Sequence, residues 1–253
     1  MKLSVCIDAV FEGVPVADAL VATKRAGIDM FEFWCWWEKD LDEIRRERDA
    51  NGLEIAGCCT KFISLVDPTL RTDYLEGLKE SIAAAKSLDV TSLVSQVGDE
   101  LPGVPRSEQH ASLVAGLKDA APMLEEAGVT LLVEPLNVLV DHAGYYLTTS
   151  EETFEIMAEV DSPNVKVVFD IYHQQITEGF LAVNIEKNID QISYFHAAGV
   201  PGRHEVFGSE INYPFLMQEL DRLGYEGGIG LEYWPAIDAE ESLRKTVEYL
   251  GGV

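Results

Sequence analysis

The stretch VKVVFDIYHQQ, residues 165–175, decides how the rest of the chain is read. Val167, Val168 and Phe169 run without a polar break into Asp170, and His173 follows three positions later. A run that is apolar on both faces marks a strand covered on both sides, as in a parallel sheet packed under helices. A carboxylate at the end of such a strand needs a partner, because charges are not left buried and unpaired.

Seven other segments share the pattern: KLSVCID (2–8), MFEFW (30–34), EIAGCC (54–59), TSLVSQV (91–97), TLLVEPL (130–136), QISYFHA (191–197) and GGIGLEYW (227–234). Amphipathic helical stretches alternate with them. VADALVATKRAG (16–27) gathers Ala, Leu and Val on one face and stops at Gly27. TSEETFEIMAEV (149–160) opens on a capping hydroxyl with acids in its first turn. YLEGLKESIAAAKSLD, HASLVAGLKDAAPMLEEAG, NYPFLMQELDRLG and AEESLRKTVEYLG behave alike. Eight strand–helix units without a composition break predict one α/β domain over residues 1–253, a (β/α)₈ TIM barrel. An open, doubly wound sheet is the alternative, but no G-x-G-x-x-G follows the first strand.

Composition narrows the partners. The 253 residues are 47% hydrophobic, enough for a large core, and 19 Lys plus Arg against 44 Asp plus Glu leave a net charge of −25. Such a surface repels phosphate backbones and anionic lipids, so neither nucleic acid nor membrane is expected as a partner. MKLSVCIDAVFEG carries no signal-peptide pattern. No stretch reaches the roughly 18 apolar residues of a membrane span. Cys6, Cys35, Cys58 and Cys59 lack C-x-x-C spacing, which suggests free thiols and a cytoplasmic protein. A homo-oligomer stays open.

In a barrel of this kind chemistry gathers at the C-terminal ends of the strands. The last four strands end LLVEPLN, VVFDIYH, SYFHAAG and IGLEYWP, delivering Glu134, Asp170, His196 and Glu232 to one rim. Each alone could reach solvent or a core hydrogen bond. Together, three converging carboxylates would repel one another, and a divalent cation resolves the conflict. Three carboxylates and one imidazole suit a single Mn²⁺, Mg²⁺, Co²⁺ or Zn²⁺. His173 reads as an orienting group, a hydrogen-bond donor to substrate, or a helix cap. Trp34, Trp36 and Trp37 offer an apolar wall against a sugar or packing for the adjoining helix. Lys61, Arg203 and His204 are the cationic groups expected near the rim, able to hold a carboxylate or phosphate.

VEPLN, FDIYH, HAAGVPGRHE, EINYPFL and LEYWP resemble the hydroxypyruvate isomerase family of the xylose isomerase-like TIM barrel superfamily, whose relatives include ketose 3-epimerases. The likeness is densest over residues 130–235. It implies that Glu134, Asp170, His196 and Glu232 bind one divalent metal. It also implies that Glu134 and Glu232 act as acid and base at the substrate carbons, and that His173 and Arg203 contact substrate oxygens. FEFWCWWEKD and CCTKF depart from the family pattern after strands 2 and 3, and His196 stands where several hydroxypyruvate isomerases have Gln and the epimerases have His.

The expected activity is therefore a metal-dependent isomerase acting on a small carbohydrate or hydroxy-keto acid. It would interconvert a pair of the hydroxypyruvate/tartronate semialdehyde type by proton transfer through an enediolate. Epimerisation of a neutral ketose is the alternative; a dehydratase and a non-catalytic sugar-binding barrel stand behind it.

Overall fold

A computed structural model describes residues 1–251. Eight parallel strands follow one another around a closed barrel: β1 (Lys2–Cys6), β2 (Met30–Phe33), β3 (Glu54–Cys59), β4 (Ser92–Ser95), β5 (Thr130–Val133), β6 (Val165–Asp170), β7 (Ile192–Ala197) and β8 (Gly228–Leu231). Strand β8 pairs back onto β1, with Lys2 opposite Gly228 and Val5 opposite Leu231. That closure makes the fold a (β/α)₈ barrel and excludes the open sheet. The strands stop earlier than their apolar runs suggest, so Glu134 and Glu232 lie one residue beyond β5 and β8. Asp8, read as the end of the first strand, lies instead in a short helix, α1 (Ile7–Val10).

The outer layer comprises α2 (Val16–Arg25), α3 (Leu41–Asn51), α4 (Arg71–Ser87), α5 (Arg106–Ala127), α6 (Ser150–Val160), α7 (Ile171–Thr177), α8 (Leu181–Asn188), α9 (Tyr213–Arg222) and α10 (Ala239–Tyr249). The Thr149 hydroxyl accepts from the Glu152 N–H and caps α6, as its sequence indicates. Helix α3 carries only two large apolar residues, Leu41 and Ile44, and α7 and α8 are short, so none of the three stands out in the sequence. Helix α3 buries only Ile44; it is started by Asp40, whose carboxylate accepts from Asp42 and Glu43 N–H, and stopped by Gly52 at φ 59°. Local caps thus bound a helix whose apolar face buries a single side chain.

Alternation along the strands sorts the core into two parts. Outward-facing residues such as Phe169 and Phe195, both 0% exposed, pack with the helices into the large core. Burying each phenyl ring stabilises the fold by about 2–3 kcal/mol. Inward-facing Cys59, Val94, Leu132, Val168 and Tyr194 fill the barrel with a smaller apolar plug. The polar rim rests on that plug. All four cysteines are free thiols, and none of the described helices is long and apolar enough to cross a membrane.

Candidate metal centre and active site

Neighbouring strands set the register of the rim. Asp170, the last residue of β6, lies opposite His196 on β7, and His196 lies opposite Gly230 on β8. Each inward position on one strand therefore meets an inward position on the next. Glu134, Asp170, His196 and Glu232 each present a donor atom, and these four atoms lie within 4.8 Å of one another, with all four residues buried. The His196 Nδ1 lies 2.9 Å from Glu134 Oε1 and 3.7 Å from Glu232 Oε2.

Two further groups fasten Glu232. The Trp34 indole Nε1–H donates to its Oε1 at 2.7 Å, and Arg203 Nη2 donates to Oε2. Burial opposes ionisation, but Arg203, His196 and the Trp34 hydrogen bond outweigh it and bring the Glu232 pKa down to about 2. The same Arg203 nitrogen lies 3.8 Å from Asp170 Oδ2, yet burial prevails there and raises the Asp170 pKa. Burial likewise disfavours charge on His196, but Glu32, Glu232 and Glu134 hold its pKa well above the usual histidine value.

Arg203 reaches the rim from an unusual backbone conformation. It sits at φ 54°, a left-handed geometry that costs a residue with a side chain roughly 1–2 kcal/mol. Its carbonyl accepts from the Trp234 N–H at 3.0 Å, and its guanidinium packs over Tyr172 and Trp234, each ring centre 5.2 Å away. These contacts anchor the turn that aims the charge inward.

His173 has a defined polarity. Asn137 Oδ1 accepts from the Val140 N–H at 3.0 Å, which fixes the amide so that Nδ2 faces both Asp141 Oδ2 at 2.8 Å and His173 Nδ1 at 2.7 Å. The Asn137 backbone N–H points at the same Nδ1 at 3.3 Å. With two donors aimed at it, Nδ1 acts as an acceptor and the ring proton resides on Nε2. Burial, then Arg203, pushes the His173 pKa down to about 3, so the ring is neutral. Its Nε2–H is buried without a hydrogen-bond partner, 3.6 Å from Asp170 Oδ2. Helix α7 is capped by Asp170, which accepts from the His173 N–H at 3.0 Å, and not by the histidine side chain.

A cavity of about 400 Å³ opens above this ring, lined by Trp34, Gln96, Asp99, Glu134, His142, His173, Arg203, Glu232 and Trp234 among others. Lys61 is not part of it. That ammonium pairs with Glu80 at 2.5 Å and lies over Trp36 on the outside. His204 is turned away as well, its Nδ1 set 2.7 Å from the Trp234 carbonyl. The three tryptophans divide: Trp34 faces the cavity, Trp36 bonds Ser81 of α4 at 3.2 Å, and Trp37 packs edge-on to Trp36 and Phe62.

Reading strand ends in the second half of the chain passes over several residues. Gln96, just past β4, donates to Glu134 Oε2 at 3.3 Å. Asn137 sets the His173 tautomer, and Glu32 on β2 lies beneath the ring. For Glu32 the signal was an acid inside the apolar run MFEFW; for Gln96 and Asn137 no local pattern marks the role.

A closed barrel carrying a buried carboxylate–imidazole ring at its C-terminal rim places its polar groups where TIM-barrel enzymes carry their chemistry. The chain belongs to the xylose isomerase-like TIM barrel family, whose model matches residues 20–251. It is 32% identical to a 2-oxo-tetronate isomerase of Cupriavidus necator, over 92% of this chain and 93% of the relative. It is 29% identical to the hydroxypyruvate isomerase of Escherichia coli K12, over 87% of this chain and 88% of that one. Among solved structures, one described as an AP endonuclease, family 2, from Brucella melitensis superposes with a TM-score of 0.93 at 28% identity, covering 98% of both chains. The chain is an enzyme of the isomerase class.

Proposed function

We propose that this enzyme is a divalent-metal-dependent isomerase of the cytoplasm, built as one barrel domain over residues 1–253. Its substrates would be a short hydroxy-aldehyde and its keto partner, of the hydroxypyruvate/tartronate semialdehyde type or the four-carbon 2-oxo-tetronate. The observation that carries this reading is the ring of four donors within 4.8 Å at the floor of the cavity. Donors on opposite sides of one ion with bonds of about 2.0–2.4 Å lie about 4–5 Å apart, so the ring fits a single Mn²⁺, Mg²⁺, Co²⁺ or Zn²⁺. A net charge of −25 supports a small-molecule substrate over nucleic acid.

Once bound, the ion would supply Lewis-acid stabilisation of the negative charge that develops on substrate oxygens. The protein's own groups do the rest. Glu134 takes the proton alpha to the carbonyl and Glu232, across the ring, takes the proton of the adjacent hydroxyl; Glu232 then delivers its proton to the neighbouring carbon and Glu134 gives its own to the former carbonyl oxygen, so both carboxylates end as they began. Glu232 is a weak base while Arg203 and Trp34 hold it. A substrate oxygen that engages Arg203 loosens that hold and raises the proton affinity of Glu232. His173 donates its Nε2–H to a substrate oxygen and leaves no unpaired donor. Trp34 and Trp234 close the apolar side, their rings 6.1 Å apart.

A second reading, epimerisation of a neutral ketose, has one observation in its favour. Arg203 is the sole Lys or Arg lining the cavity among the described residues, and it already faces Glu232 and Asp170. No spare cation waits there for a substrate carboxylate. The test is turnover in D₂O by ion-reconstituted enzyme offered hydroxypyruvate, tartronate semialdehyde, 2-oxo-tetronate and a ketose panel. Solvent deuterium on the receiving carbon of an isomerised acid supports the first reading; deuterium at an inverted carbon of a ketose supports the second. Complete retention of substrate hydrogen, or a dehydrated product, would overturn both. Glu134→Gln and Glu232→Gln should each reduce turnover by roughly 10²–10⁴-fold.

A further inference from the structure

Beneath the rim lies a second carboxylate layer that the proposed chemistry does not use. Glu32, on β2, is only 5% exposed, and its Oε1 has no hydrogen-bond partner. Among the described residues no Lys or Arg pairs with it; the group facing it is the His196 imidazole, whose Nε2 lies 3.4 Å from Oε1. That nitrogen is also buried and unpartnered. The contact is long for a hydrogen bond, and the Tyr194 hydroxyl faces the same carboxylate. An unpaired buried carboxylate is costly, and an apolar residue would serve the core better at this position.

Strand β8 leaves room for the pair. A Cβ on Gly230 would come within 2.2 Å of Glu32 Oε1 and 2.9 Å of His196 Cδ2. Any side chain at 230 would separate the carboxylate from the ring. Tyr194 closes the space from below, edge-on to the imidazole with ring centres 5.5 Å apart. The ring is thus gripped on one side by Tyr194 and met at Nε2 by Glu32. Its Nδ1 is left pointing at Glu134 and Glu232.

We infer that Glu32 is a positioning residue. Its carboxylate accepts the Nε2–H of His196 from beneath the barrel rim and so directs the Nδ1 lone pair into the donor ring. The inference rests on the metal site proposed above. A carboxylate on the far nitrogen of a ligating histidine fixes tautomer and ring orientation, and losing one weakens metal binding by roughly 10–100-fold.

The experiment compares wild type with Glu32→Gln, Glu32→Leu and Gly230→Ala by three measurements. These are Co²⁺ affinity with its visible absorption, thermal stability, and the ¹⁵N-correlated Nε2–H resonance of His196 with and without ion. Wild type should show a slowly exchanging Nε2–H. Glu32→Leu and Gly230→Ala should lose it, bind Co²⁺ roughly 10–100-fold more weakly, and shift its absorption bands. Glu32→Gln, whose amide oxygen still accepts, should recover most of the affinity. Glu32→Leu should be no less stable than wild type, which separates positioning from a structural role. Unchanged affinity and spectrum in Glu32→Leu and Gly230→Ala, with wild type binding the ion, would overturn the inference and leave the metal site standing. A wild type that binds no ion yet loses the Nε2–H signal on Glu32 replacement would sink the metal site and keep the Glu32–His196 contact.

Discussion

Replacing Asn137 with Asp should reverse the polarity of His173. In the native arrangement Nδ2 of Asn137 donates at 2.8 Å to Asp141 and at 2.7 Å to His173 Nδ1. Aspartate keeps the oxygen that accepts from Val140 but puts an acceptor where the amide donor was. The lost charge-assisted bond to Asp141 is worth about 1.5–3 kcal/mol, and the new carboxylate is set against the Asp141 carboxylate in its place, so stability should fall by about 3 kcal/mol. For a chain of this size that corresponds to roughly 6–12 °C in Tm. The ring restores its bond by carrying a proton on Nδ1, and the neutral ring then turns Nε2 into an acceptor toward the cavity. Losing that donor to a charge-bearing substrate oxygen should lower kcat/KM by roughly 10–100-fold. Asn137→Ala is the informative control. It loses the same amide bonds, but the backbone N–H still points at Nδ1 at 3.3 Å, so the native tautomer persists. Its stability should fall comparably while its turnover falls less. Steady-state kinetics, thermal unfolding and ¹⁵N spectra of the His173 ring read out the three effects. Equal kcat/KM for the Asp and Ala variants would refute the argument, because it would mean that the direction of the His173 proton does not matter.

Other outcomes follow from the same geometry. Asp170→Asn should lose divalent-ion binding in calorimetric titration, whereas His173→Ala should retain the ion and lose turnover; equal ion loss in both would mean the two roles are misassigned. Lys61→Ala should change kcat and KM by no more than about twofold, since its ammonium is held by Glu80 outside the cavity. A large rise in KM would return that residue to the substrate site. Ile44→Ala should cost about 2–5 kcal/mol in denaturant unfolding, because Ile44 is the one side chain of α3 buried in the core. A change below about 1 kcal/mol would show that α3 is held by its caps and surface contacts alone.

Within the sequence, strand periodicity and the acids at strand ends identify the barrel and name Glu134, Asp170, His196 and Glu232. Both signals are local: a strand buried on two faces is apolar throughout, and a charge at its end stands out against that background. The helices split along the same line, since α6 shows an apolar face while α3, with Ile44 alone buried, is defined by backbone caps. What the chain could not disclose by pattern is which charges meet. Lys61 and Arg203 look equally available as cations beside the rim. Only the packed structure turns one outward to Glu80 and drives the other, through a left-handed turn, onto Glu232. Glu32 lies 164 positions from His196 and Asn137 lies 36 from His173, so neither contact leaves a trace in local spacing. Such pairings depend on barrel closure and strand register. A shift of one residue on β2 or β8 would point Glu32 or Gly230 at the helices instead of the barrel interior.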